Sequence, residues 1–172
     1  MQIIKPRVIE SLKITAFYSG NRGFYCSMYP TSATLSTLVS HFKPVPQLGD
    51  KLVPPALMHV TLMYSNEPVP MEDLPWVQRD VVIPAVAIGY DFFCKPHATE
   101  GAVVMLLDSK GLEDYHESLA TLADYTWDEF KPHLTLAYDM DPTEAAILIS
   151  ALSAMPLPQG LAFTAPVFED KS

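Results

Sequence analysis

Two stretches decide how this chain is read: Met58-His59-Val60-Thr61-Leu62-Met63-Tyr64 and Pro132-His133-Leu134-Thr135-Leu136-Ala137-Tyr138. His, Thr, Leu and Tyr recur at the same four positions, 74 residues apart (133 minus 59). Successive side chains of a strand point to opposite faces. His59 and Thr61 therefore share one face and Val60 and Leu62 the other, and the same holds for His133 and Thr135 against Leu134 and Leu136. Each strand is expected to bury its apolar face and present an imidazole beside a hydroxyl on the opposite one.

Each motif closes a similar run. Gly23, a strand (24–29), a helix from Thr31 or Ser32 to about Phe42 and a Pro-rich loop lead to His59. Gly101, a strand to Leu107, a helix from about Gly111 to Asp124 and a loop lead to His133. The helices are read from apolar residues at helical spacing, Leu35, Leu38, Val39 and Phe42 in one, Leu112, Tyr115, Leu119 and Leu122 in the other. A repeat of this kind predicts a pseudo-twofold. Leu12–Tyr18 reads as a further strand, followed by a turn (19–23). Asp80–Phe93 reads as one bent strand or two short ones, and Asn66–Trp76 as a solvated loop carrying Glu67, Glu72 and Asp73. Asp141-Pro142-Thr143-Glu144 reads as a helix start with N-cap acid, proline and a capping-box Glu, running to about Ala154. Gly160–Phe168 reads as a single closing strand. The expected fold is α+β: one bilobal domain over residues 1–172, its two pseudo-twofold-related lobes contributing antiparallel sheets to a central cleft.

Composition narrows the function. A net charge of −9 with only eleven Lys and Arg, and those scattered, argues against gripping a long nucleic acid through many phosphates. A nucleotide substrate should be small and held in one pocket. No apolar run is long enough to span a membrane, and 1–10 lack the apolar stretch of a secretion signal. Cys26 and Cys94 share no metal or redox spacing and read as reduced, buried thiols of a cytoplasmic protein. The chain is expected to act as a monomer.

Two imidazoles and two hydroxyls around one small volume suit phosphodiester cleavage. One histidine takes the proton of the nucleophile while the other protonates the leaving oxygen. The hydroxyls donate to non-bridging phosphate oxygens as charge grows on them. No metal or other cofactor is required, and zinc would need ligands that neither strand offers. One His-x-Thr alone would be better explained as a structural histidine with its bonds satisfied. Two at equivalent points of a repeat are not. Of the other histidines, His41 reads as a charge at a helix C-terminus, His116 as surface beside Asp114 and Glu117, and His97 as a loop residue. Lys131, just before the second motif, is a candidate phosphate contact.

The paired His-x-Thr motifs resemble those of the two-histidine (2H) phosphoesterase superfamily, whose members act on 2′,3′-cyclic phosphates, 2′-5′ linkages and related nucleotide esters. Within it the short, acidic form looks most like the phage anti-CBASS nucleases, which degrade the cyclic oligonucleotide messengers of bacterial immunity. The resemblance implies His59 and His133 as the acid–base pair, either being the base, with Thr61 and Thr135 on the phosphate. It also implies aromatic residues stacked on bases, for which Tyr25, Tyr29 and Phe93 (or Phe92) are candidates, and an acid near the C-terminus, for which Glu169 is one. The function so implied is metal-independent cleavage of 3′–5′ bonds in cyclic di- and trinucleotides, countering CBASS defence. Two alternatives stay open: an RNA-processing 2H enzyme acting on terminal 2′,3′-cyclic phosphates or 2′-5′ bonds, and a nucleotide sponge that binds without cutting.

Overall fold

A computed structural model describes residues 23–67, 82–122, 124, 126, 129–164 and 167–170, Phe24 and the last four by backbone alone. The expected strand 12–18, its turn and most of the acidic loop lie outside them. Between Gly23 and Asp170 the order is β1 (Phe24–Met28), α1 (Ser32–Phe42), two 3₁₀ turns (Gly49–Lys51 and Pro55–Leu57), β2 (Val60–Ser65), β3 (Val82–Phe93), β4 (Gly101–Asp108), α2 (Lys110–Ala120), β5 (His133–Met140), α3 (Pro142–Ser153), β6 (Leu161–Thr164) and β7 (Val167–Asp170).

The helices start where the sequence places hydroxyls and acids. Thr31 accepts from the Thr34 amide, Ser109 from the Leu112 amide, and Asp141 forms the expected capping box with Glu144, with Pro142 at the first helical position. His41 sits in the last turn of α1, but burial lowers its pKa and favours the neutral ring over the expected charge. The thiols also divide: Cys26 is buried as expected, whereas Cys94 is exposed.

Among the described residues all strand pairings are antiparallel, in the order β6-β3-β4-β5-β2-β1-β7. The two expected half-sheets, β7-β1-β2 and β5-β4-β3-β6, meet in one sheet through a single pair, Val60 opposite Leu134. The closing segment is two strands where one was expected. β6 pairs with β3 and β7 with β1, at opposite edges of the sheet. Thr31 N–H donates to Ala162 O and Thr164 N–H to Tyr29 O, so the segment next to β1 also touches β6. The core gathers Val60, Leu62, Leu134 and Leu136 of the motif strands, all fully buried, with Leu112, Leu119, Leu148 and Leu152 of α2 and α3.

Both motif strands carry a β-bulge at the same position. In β2, Met63 faces Cys26 and Thr61 faces Ser27, leaving Leu62 as the extra residue. In β5, Ala137 faces Val103 and Thr135 faces Val104, leaving Leu136. Each bulge shifts the alternation by one, so Leu62–Met63 and Leu136–Ala137 are buried in succession. Tyr64 and Tyr138 thereby come onto the face of His59 and His133, where simple alternation would have put them opposite.

A bulge leaves a carbonyl outside the ladder, and each is satisfied from elsewhere. Leu136 O accepts from Val53 N–H (2.8 Å). Leu62 O accepts from Nδ1–H of His116 (2.6 Å), whose ring stacks on Phe130 (centroids 3.9 Å apart). His116 is therefore a buried core histidine, not the surface residue expected from its acidic neighbours. His116→Leu should leave that carbonyl unpaired and lower stability by about 1–3 kcal/mol, read as a fall in unfolding midpoint. An unchanged midpoint would remove the support assigned to this bond.

Candidate active site

The register at the centre of the sheet places the motifs together. Counting one residue either way from Val60 opposite Leu134, antiparallel geometry sets His59 beside Thr135 and Thr61 beside His133. The two motifs thus form one patch at the join between the halves.

Each imidazole is held by the same local device. His59 Nδ1–H donates to Leu57 O (2.7 Å) and His133 Nδ1–H to Lys131 O (2.6 Å), in each case the carbonyl two residues back. The first carbonyl is presented by the Pro55–Leu57 3₁₀ turn; the second precedes buried Pro132, whose own carbonyl accepts from Leu107 N–H (2.9 Å). With Nδ1 committed as a donor, the neutral ring carries its lone pair on Nε2. Both histidines therefore keep Nε2 as the nitrogen open to further bonding.

The surroundings of the two rings differ. Tyr25 Oη–H donates to His59 Nε2 (2.7 Å), and Thr61 Oγ1–H then donates to Tyr25 Oη (3.2 Å), since the phenol proton is already used. Tyr29 lies 6.0 Å from the His59 ring centroid, and Tyr64 meets Tyr25 edge-on at 6.1 Å. His133 packs edge-on against Phe93 at 4.8 Å. Gly101 allows the close approach of β4 that this packing needs, because a Cβ there would collide with Phe93 O. Burial lowers the His133 pKa below the ordinary 6.5, the Lys131 carbonyl opposes this, and repulsion from a protonated His59 adds to the lowering.

A cleft of about 510 Å³ opens on the His59 side, within the range of small-molecule sites. Tyr25, Tyr29 and His59 line it from the first half, and Tyr138 and Asp139 from the second. Lys51 completes a wall, its ammonium donating to Asp139 O (3.1 Å) and Glu144 Oε2 (2.9 Å).

Of the residues singled out from sequence, His59, Thr61, His133, Thr135, Tyr25, Tyr29 and Phe93 gather at this patch. Lys131 contributes its carbonyl to His133, and its ammonium lies 3.5 Å from Glu129. Glu169 stands opposite Tyr25 in the β1–β7 register, by backbone position. Tyr64, Tyr138 and Lys51 are additions that the sequence reading does not contain. The repeated Tyr of the two motifs is the available signal for the first two. Among the described residues no group of three or more His, Cys, Asp or Glu is arranged to hold a metal, and no helix is long and apolar enough to cross a membrane.

Comparison with known proteins gives one decisive match. No curated protein matches the chain. The crystal structure of TT0787 of Thermus thermophilus shares 16% identity, covering 86% of this chain and 81% of that one, with a TM-score of 0.45. A likeness that loose gives no ground for transferring anything. The family described as "Anti-CBASS protein Acb1" matches residues 22–159, a span that holds both His-x-Thr motifs, both bulges and the cleft wall. The chain belongs to the Acb1 family of anti-CBASS proteins.

Proposed function

We propose that the protein is a metal-independent phosphodiesterase that opens cyclic di- and trinucleotide messengers at a 3′–5′ bond in the cytoplasm of the infected cell. The observation that carries this reading is the pair of backbone-clamped histidines presenting Nε2 at one join, each with a threonine hydroxyl beside it. A sponge needs no such pair. The low count of basic residues disfavours a long RNA.

In the chemical step one histidine takes the proton of the ribose 2′-hydroxyl, whose oxygen attacks phosphorus as the bond from phosphorus to the 5′-oxygen breaks. The other histidine protonates that 5′-oxygen. The product is linear, with a 5′-hydroxyl and a 2′,3′-cyclic phosphate, which water then opens with the two roles reversed. His133, held neutral by its apolar setting, suits the base of the first step; His59, at the open cleft, suits the acid.

A base must be unprotonated to act, and burial moves the His133 pKa down. The acid limb of kcat/KM should therefore have its midpoint below the ordinary 6.5 of histidine. A limb centred at or above that value would contradict the assignment of His133. Because charge stabilisation comes from hydroxyls and imidazolium, turnover should also persist in excess EDTA; loss reversed by added zinc or magnesium would contradict that.

Product analysis on a panel of cyclic di- and trinucleotides tests the function as a whole. Linear product supports the proposal. Ligand returned intact identifies a sponge, and activity confined to terminal 2′,3′-cyclic phosphates or 2′-5′ bonds identifies the RNA-processing alternative.

A further inference from the structure

We infer, resting on the phosphodiester reading above, that the Tyr25 hydroxyl occupies the seat of a non-bridging phosphate oxygen between His59 and Thr61, and that substrate displaces it. The displacement converts His59 from proton acceptor to proton donor.

The geometry of the first motif carries this. An imidazole Nε2 has one bonding direction, in the ring plane, and Tyr25 Oη fills it at 2.7 Å while also receiving the Thr61 hydroxyl at 3.2 Å. One oxygen thus contacts both groups intended for phosphate, so a phosphate oxygen cannot contact them until the phenol leaves. The Tyr25 backbone is pinned between Tyr64 on β2 and Glu169 on β7, so only its side chain can yield. The cleft it lines gives room for that rotation. The second motif differs: β4 places Leu106 opposite His133, and no described residue forms a hydrogen bond to His133 Nε2.

The exchange changes the proton requirement of one residue only. Thr61 donates to the phenol oxygen before and to the phosphate oxygen after. His59 accepts from the phenol through Nε2, but an ionised phosphodiester oxygen has no proton to give. The displaced phenol keeps its own proton, so with Nδ1–H committed to Leu57 O, His59 can bond the new oxygen only by taking a proton from solvent onto Nε2. Substrate binding therefore arms His59 as the general acid. Among the described residues, the charged groups that share the cleft wall with it are Asp50, Asp139 and Lys51, the last held by Glu144, with His133 across the join; Tyr29 and Tyr138 are the titratable phenols of that wall.

The test uses ¹⁵N-histidine NMR of the wild-type protein and Tyr25→Phe, titrated with dimethyl phosphate at about pH 8, well above the usual histidine range. Wild-type His59 should pass from the neutral Nδ1–H form to imidazolium as the probe saturates. Tyr25→Phe should bind about threefold to tenfold more tightly, because the hydroxyl bond no longer competes with the probe. Equal or weaker binding by the variant, a His59 that stays neutral at saturation, or no saturable binding would each overturn the inference. Turnover is read separately. A wild-type protein that cuts no ring while the titration behaves as described would sink the phosphodiesterase reading and leave Tyr25 in its place.

Discussion

His59→Ala and His133→Ala are each expected to lower turnover of a cyclic dinucleotide by about 10²–10⁴, the usual weight of one general acid or base. The two should not add fully, because in the proposed mechanism acid and base act in the same step. Affinity should change far less than kcat, since the threonine hydroxyls and the aromatic wall remain. Neither ring belongs to the buried core, so the unfolding midpoint should stay close to wild type. Thr61→Val and Thr135→Val keep the side-chain volume and remove only the hydroxyl, and should be milder. Either histidine variant retaining near-full turnover would break the paired assignment.

The second large effect concerns the substrate. A ring made wholly of 2′-deoxyriboses should bind and survive, because it lacks the proposed nucleophile. A mixed-linkage ring should be cut only at 3′–5′ bonds, because a 2′-5′ linkage occupies the hydroxyl that would attack. Two histidines suffice for this internal attack, whereas direct attack by water demands a better-activated nucleophile. Efficient cleavage of the all-deoxy ring would show that water attacks directly; the histidines would keep their roles and the substrate-assisted step would be lost.

Much of this site is legible from alternation alone. His59, Thr61, His133 and Thr135 can be placed on one face because the first residues of each motif obey the period of a strand. The bulges are not legible, since Leu62 and Leu136 differ in no way from ordinary apolar strand residues; the repeat of Tyr64 and Tyr138 is their only trace. The acidic neighbours of His116 mislead, although Leu112, His116 and Leu119 have the spacing of one buried helix face. The division of the closing segment between two sheet edges is a long-range outcome that no local pattern encodes. The asymmetry between the rings likewise depends on β1 and β3, which deliver Tyr25 and Phe93 from sequence positions far from either motif.

The most direct measurement follows a 3′–5′ cyclic dinucleotide with the wild-type protein in EDTA, resolving products by chromatography coupled to mass spectrometry at early times. Internal attack adds no water, so the first product should be a new species of unchanged mass, the linear 2′,3′-cyclic phosphate, followed by its hydrated form. A ring recovered intact after the protein is denatured, or a first product that already carries water, would contradict the account.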